Sequence, residues 1–146
     1  MMAGDINPAS IFLPVLAVVA LTILAFMRMA AARARGIKER PRDPGYFRAF
    51  IGESEPEYTI VAVRHYSNLF ELPVLFYAGC ISAFVLGDVV PWSLGWAWAY
   101  VAARVVQSAV HLSYNNPAHR GMAFVLGIVC ITGLWVHVGM AVVQRL

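Results

Sequence analysis

Four long apolar runs constrain the fold of this chain more than any other feature of its sequence. A membrane-spanning helix needs roughly 20 consecutive, mostly apolar residues. The 146 residues are 60% hydrophobic and only 13% charged, whereas an ordinary soluble domain is about 45–50% apolar and about 25% charged. A chain of this length cannot bury so much apolar surface inside itself, so lipid must cover much of it. We predict an all-α membrane protein, a single domain at 1–146 whose four helices span about 9–30, 58–87, 92–113 and 121–143.

Basic residues are concentrated at one end of this predicted bundle. The long loop 31–57 and the turn 114–121 fall on the same side of the membrane, and Arg145 is the only basic residue on the other side. An excess of Lys and Arg marks cytoplasmic segments. We therefore expect the loop and the turn in the cytoplasm and both termini outside, as in a multi-pass protein of a bacterial inner membrane. The basic residues of the cytoplasmic side are Arg28, Arg33, Arg35, Lys38, Arg40, Arg42, Arg48 and Arg120.

Other classes of site have no recognisable sequence signature. The chain contains no phosphate-binding glycine loop and no nucleic-acid motif. Its two cysteines, Cys80 and Cys130, are isolated within apolar runs, which favours packed side chains over a disulfide or metal site. We predict neither a metal nor a nucleic-acid partner.

The stretch RHYSNLFELP, which begins at Arg64, places ionisable groups inside the second predicted span. Arg64, Asn68 and Glu71 are spaced at i, i+4 and i+7, which puts them on one face of a helix. A charged residue at mid-membrane costs about 2.5–3.5 kcal/mol on insertion scales, so we expect Glu71 to face the bundle interior and to have a partner. Pro73 cannot donate to the carbonyl of Leu69, which predicts a kink. Charges at this depth indicate a functional site.

The third predicted span carries a matching polar face. Arg104, Gln107 and His111 are spaced at i, i+3 and i+7, and Tyr114 extends the face toward Arg120. Guanidinium groups bind carboxylates bidentately, and a carboxylate such as Glu71 can hold an ammonium group. A small zwitterionic peptide such as glutathione fits this inventory, and an arginine near its sulfur would favour the nucleophilic thiolate.

Alternative interpretations of these polar residues remain open at this point. A Glu71–Arg104 ion pair between helices would be purely structural, but it leaves Arg64, His111 and Arg120 unexplained. A small oligomeric transporter or channel could use the same groups as an ion path, although no inverted repeat is recognisable. A haem held by two histidines, such as His65 and His111, lacks any haem motif. An anionic lipid headgroup would also bind the basic residues.

Two motifs of this chain resemble those of the MAPEG family, the membrane-associated proteins of eicosanoid and glutathione metabolism. The motifs are RHYSNLFELP, with the pattern R-x-x-x-N-x-x-E-x-P, and ARVVQSAVHLSYNNPAHR in the third span and the turn after it. The similarity extends over nearly the whole chain. It implies a four-helix bundle that assembles as a homotrimer, with glutathione as co-substrate between neighbouring subunits near the cytoplasmic side. It also implies a lipophilic second substrate that enters from the membrane lipid.

The resemblance implies roles for individual residues. Arg64, Asn68 and Glu71 match glutathione contacts on the second helix, and Arg104 matches an arginine of the third. Arg120 matches the arginine that stabilises the thiolate, and we predict it as the catalytic residue. His111 and Tyr114 are predicted to complete the glutathione site, together with an arginine of the first helix. The candidates for that arginine are Arg28, our first choice, Arg33 and Arg35.

The sequence departs from the family pattern on the substrate side of this site. His111 stands where characterised enzymes have tyrosine, and Gln107 stands where they have another histidine or tyrosine. We therefore expect a bacterial-type member that transfers glutathione to lipophilic electrophiles or reduces lipid hydroperoxides, and not an eicosanoid-specific enzyme.

Overall fold

In the computed structural model, which describes residues 6–41, 45–49 and 55–146, the chain forms an all-helical bundle with no strand among these residues. The bundle consists of four long helical segments, which we call rods. The second rod, Glu57–Val85, is interrupted, and a 3₁₀ turn precedes the first. The predicted four-helix fold is therefore confirmed, whereas its assembly as a trimer stays a prediction. The elements are the 3₁₀ turn Pro8–Ile11 and helices α1 (Phe12–Glu39), α2 (Tyr46–Ala49), α3 (Glu57–Asn68), α4 (Leu72–Val85), α5 (Pro91–Leu112) and α6 (Pro117–Val143).

Three segments of the described chain are helical, long and apolar enough to cross a membrane. They are Pro8–Glu39, Glu57–Val85 and Pro117–Val143. The fourth rod, α5, has 22 residues but is not among them. Its inward face carries buried polar side chains, including Arg104 and His111, which lower its hydropathy. These groups are shielded because α5 packs chiefly against α6 and also contacts α1, α3 and α4.

The first helix is longer than the sequence analysis predicted. Residues 31–39, expected in the loop 31–57, continue α1, and α2 adds one helical turn farther on. The segment AARARGIKE is rich in strong helix formers, and Arg35 and Glu39 form an i,i+4 ion pair of 2.7 Å. Buried Gly36 lets α3 approach closely, because a Cβ there would lie 3.0 Å from Oγ1 of Thr59. Of the predicted basic cluster, Arg42 lies outside the described residues.

The predicted kink in the second rod is a complete break between α3 and α4. The helix ends at Asn68, and Leu69 and Phe70 bond back to carbonyls only three residues earlier. Pro73, in the first turn of α4, lacks an N–H for the carbonyl four residues before it, and its ring would clash there. The interruption therefore lies one turn before the proline and frees backbone carbonyls inside the bundle.

The turn between α5 and α6 is shorter than the predicted 114–121. It comprises residues 113–116, and Gly121 lies within α6. Asn116 ends the turn because its Oδ1 accepts from the backbone amides of Ala118 and His119, at 2.9 and 3.3 Å. Pro117 then occupies the first helical position, where its missing N–H costs nothing.

The two ends of the bundle differ in composition. We call the end with the turn 113–116 and the start of α3 the loop end, and the end with the turn 86–90 and the C terminus the far end. The apolar core lies toward the far end, where the rings of Phe76 and Tyr100 stack with centroids 4.5 Å apart. Cys80 and Cys130 are buried there as free thiols. The polar residues of α5 from Arg104 onward lie toward the loop end.

Candidate functional site

The predicted polar face of α5 lies inside the chain. Arg104 and His111 are each 1% exposed, and Gln107 between them is 4% exposed. Nη2 of Arg104 donates to the backbone carbonyl of Asn68 at 2.8 Å, and its Nη1 donates to Oε1 of Gln107. The carbonyl of Asn68 is free to accept because α3 ends there. The break in the second rod thus creates the partner of a buried arginine.

Glu71 differs from its prediction. Its side chain is exposed on the surface of the single chain and forms no hydrogen bond or ion pair with another described residue. In the single chain Glu71 therefore does not face the interior and forms no ion pair with Arg104, although its carboxylate lies within electrostatic range of that guanidinium. The helical spacing that joined Glu71 to Arg64 and Asn68 ends at Asn68, so Glu71 is placed by the non-helical turn before α4.

Arg64 and Asn68 leave their polar side-chain atoms available as well. Arg64 is exposed and Asn68 is half-buried, and neither side chain hydrogen-bonds to another described residue. Arg64 nevertheless lies in electrostatic range of the His111 ring. The three predicted residues of the second rod therefore present unpaired groups to whatever covers this surface.

His65, which the sequence analysis considered only as a possible haem ligand, is buried in this region. It is 3% exposed, and its ring meets that of His111 edge to face, with centroids 5.2 Å apart. This direct contact leaves no space for a porphyrin between the two rings, which excludes them as paired axial ligands of one haem. A sequence signal was present: His65 lies on the buried face of α3 with Ala62 and Leu69, at i, i+3 and i+7.

Arg120 lies at the start of α6 and reaches back to α5. Its Nη1 lies 3.0 Å from Oδ1 of Asn115 and 3.5 Å from Nε2 of His111. Arg120 forms no ion pair with another described residue, so no carboxylate among the described residues neutralises its positive charge. Next to it, the hydroxyl of Tyr114 hydrogen-bonds to Nδ1 of His119 at 2.9 Å. The second motif of the sequence thus contributes a polar cluster at the loop end that consists of two hydrogen-bonded groups, Arg120 with Asn115 and His111, and Tyr114 with His119.

A cavity of about 430 Å³ opens beside this cluster at the loop end. It brings together three predicted residues, Arg28, His111 and Tyr114. Arg28 is the one first-helix candidate among its lining residues, and its guanidinium donates to the carbonyl of Leu112 at 3.3 Å. The lining residues that the sequence analysis did not single out are Glu57, Tyr58, Val61, Ala62, Leu112, Ser113 and Asn115.

An apolar groove of about 700 Å³ begins near the same place and runs along α5 and α6. Tyr114 lines both the polar cavity and this groove. Alanines and larger apolar side chains form its walls, from Val110 at the loop end to Ala99 and Cys130 farther along. The described residues contain no group of three or more potential metal ligands.

Comparison with known proteins gives one family. The MAPEG family model matches residues 11–140, which include every predicted site residue and all of the four rods except the last three residues of α6. No curated protein and no solved structure matches the chain. Since the match covers most of the chain and three segments can cross a membrane, the protein is an integral membrane protein that belongs to the MAPEG family.

Proposed function

We propose that this protein is a glutathione-dependent membrane enzyme, in which Arg120 stabilises the thiolate of bound glutathione. The observation that carries the proposal is the position of an uncompensated arginine beside His111, a residue that lines the polar cavity together with Arg28 and Tyr114. The MAPEG family includes glutathione transferases and peroxidases. A guanidinium remains charged at any physiological pH, so it favours the ionised form of a nearby thiol.

The unpaired side chains of the second rod support a site shared between subunits. Arg64 and Glu71 are exposed on a single chain at a depth where contact with lipid would be costly. A neighbouring subunit and glutathione together would cover them, with Glu71 facing the peptide's ammonium and Arg64 a carboxylate. We therefore propose the homotrimer that the family resemblance implied, oriented with the loop end in the cytoplasm.

The apolar groove supports a lipophilic second substrate. A membrane-soluble molecule lying along α5 and α6 would reach the polar cavity at Tyr114, which lines both. In the transfer reaction the thiol loses its proton and the sulfur forms a bond to the electrophilic carbon. In a substitution the leaving group departs with the electron pair of its bond to that carbon; in a conjugate addition the carbon–carbon π bond breaks and its electron pair takes up a proton. In the peroxidase reaction two glutathione thiols are oxidised to a disulfide, while the hydroperoxide is reduced to an alcohol and water.

A transporter or channel is the weaker proposal. Its ion path would have to continue from the loop end to the far end. Beyond Arg104, the buried residues toward the far end are largely apolar, including the stacked pair of Phe76 and Tyr100. That arrangement supports a site closed at one end.

Binding of glutathione to the purified protein in detergent is the first test. A ligand that binds the native state at a hundredfold excess over its Kd stabilises it by about 2.7 kcal/mol. The melting temperature should rise with millimolar glutathione, and unchanged melting at all concentrations would contradict the proposal.

The role of Arg120 is tested by substitution. Removing one charge-stabilising donor lowers kcat by about 10²–10³ in other enzymes, so Arg120→Ala should lose turnover of a lipophilic electrophile while keeping most of its glutathione affinity. Arg145→Ala is the matched control, because Arg145 donates only to backbone carbonyls at the far end. Equal turnover in Arg120→Ala and in the control would show that another residue activates the thiol.

A further inference from the structure

Asn115 has an unusual backbone conformation in the turn between α5 and α6. Its φ is +46°, the one positive φ of a non-glycine residue in the described chain. Residues with a Cβ rarely adopt this left-handed region, although asparagine tolerates it better than most. The turn is fixed there by a hydrogen bond of 2.9 Å from the amide of Asn115 to the carbonyl of Val110. Glycine adopts a positive φ more easily than asparagine, so the backbone conformation alone does not explain why position 115 carries an asparagine side chain.

That side chain contacts Arg120. Oδ1 of Asn115 accepts from Nη1 of the guanidinium at 3.0 Å, while Nε2 of His111 lies 3.5 Å from the same nitrogen. His111 is 1% exposed, and its other ring nitrogen, Nδ1, has no hydrogen-bond partner in the described chain. Asn115 and His111 also both line the polar cavity. The guanidinium therefore lies between the amide oxygen of Asn115 and a ring nitrogen of His111, two residues that line the cavity.

The neighbouring asparagine has a different task. Asn116 has an ordinary φ of −69° and uses its side chain to cap α6. Asn116 therefore starts the helix that carries Arg120, whereas Asn115 contacts the guanidinium itself.

We propose that Asn115 is a positioning residue for Arg120, which fixes the guanidinium at the cavity without neutralising its charge. The proposal rests on the proposed role of Arg120 with glutathione. A long arginine side chain samples many rotamers unless it is held, and a charge that is already in place need not reorganise during reaction. An aspartate at this position would hold the guanidinium equally well but would compensate the charge that the thiolate needs. The neutral amide of Asn115 meets two requirements: it holds the guanidinium in place, and it leaves the positive charge uncompensated.

Two substitutions at position 115 separate these two requirements. Asn115→Gly keeps the left-handed backbone and removes the contact with Arg120. Because small misplacements of catalytic groups have large effects, we expect the thiolate fraction of bound glutathione at neutral pH and kcat to fall roughly tenfold. Glutathione affinity should change less than threefold. Asn115→Asp keeps the shape of the side chain, so its melting temperature should match wild type while its thiolate fraction falls.

The experiment measures the thiolate by its ultraviolet absorbance in the purified, glutathione-loaded protein, with Kd and kcat measured in parallel. Asn116→Gly is the control: it weakens a helix cap and should leave the thiolate fraction unchanged. A wild-type thiolate fraction in Asn115→Gly, or in a folded Asn115→Asp, overturns the positioning role. An equal loss in Asn116→Gly overturns it as well, because the effect would then come from the start of α6. If wild type itself binds no glutathione, the proposed function fails first and this inference with it; if wild type binds but Asn115→Gly is unaltered, only the inference fails.

Discussion

The two ends of the bundle differ in the polar side chains that they bury and in the partners of those side chains. At the far end, Oδ2 of Asp88 lies 2.9 Å from Nε2 of His137, and Nε1 of Trp135 donates to the carbonyl of Leu75 at 3.0 Å. At the loop end, Nε2 of His65 and Nδ1 of His111 are buried without a hydrogen-bond partner among the described residues. A buried unsatisfied polar group costs about 1–3 kcal/mol. The hydroxyls of Tyr100 and Ser10 are buried without a partner toward the far end as well, so unpartnered atoms alone do not distinguish the two ends. What distinguishes the loop end is that its unpartnered atoms belong to two imidazoles in contact, one of which lines the polar cavity, and we propose the ligand site there.

Stability and ligand binding should therefore respond to different substitutions. Changes in the far-end core should lower stability, and changes at the loop end should lower glutathione binding or turnover with less effect on folding. Four substitutions test this division, from the largest expected effect to the smallest.

Phe76→Ala should cause the largest loss of stability. The side chain is fully buried and stacks on Tyr100, so its removal leaves a cavity that costs about 3–5 kcal/mol in well-packed cores. Heat or denaturant unfolding in detergent, followed by circular dichroism, measures the change. Val74→Ala, at an exposed position two residues away, is the control. A loss below about 1 kcal/mol, within the range of a volume-conserving swap, would mean that the far end is not tightly packed.

Gly133→Ala should destabilise the contact between α5 and α6. A Cβ at this position would lie 2.5–2.8 Å from indole atoms of Trp96, and overpacking of this kind costs about 1–3 kcal/mol. Gly139→Ala, in the same helix, meets nothing within 4 Å and should be neutral or stabilising because alanine favours helix. The same unfolding measurement distinguishes the two, and equal effects would contradict the close packing of Trp96.

Glu71→Gln should affect the ligand and not the fold of the single chain. The carboxylate is exposed and unpaired within the described chain, so the melting temperature without ligand should change little. Loss of its contact with the ammonium of glutathione should raise Kd about tenfold, which corresponds to about 1.4 kcal/mol. Asp88→Asn is the matched control, because Asp88 is a carboxylate at the far end, beside His137. If both variants bind glutathione as wild type does, Glu71 is not part of the site.

Asp88→Asn should have the smallest effect. It removes the charge opposite His137, but the carbonyl of Asp88 still lies 3.2 Å from Nε2 of that histidine. Partly exposed ion pairs contribute about 0.2–1 kcal/mol, so the melting temperature should fall only slightly. Glutathione affinity and turnover should equal those of wild type; a clear change in either would show that the far end is coupled to the site.

Many of the polar residues at the loop end could be predicted from their spacing along one helix. The face of Arg104, Gln107 and His111 was predicted correctly as one buried stripe because α5 is an uninterrupted helix and its periodicity holds throughout. The same reasoning was wrong for Glu71, because the spacing crossed a break in the helix. His65 was left out of the predicted glutathione site because it lies off the charged stripe and on the apolar one.

The sequence by itself determined the class of fold, the four rods and the residue types of the site, since lipid imposes long apolar helices and makes every charge within them conspicuous. The tertiary structure decided which of these residues meet. It selected Arg28 as the first-helix arginine at the cavity, supplied the carbonyl of Asn68 to Arg104, and placed Asn115 against Arg120. These contacts join residues of different rods, or involve a turn of unusual backbone conformation. Helical periodicity predicts which residues share a face of one helix, but it predicts neither contacts between rods nor the conformation of a turn.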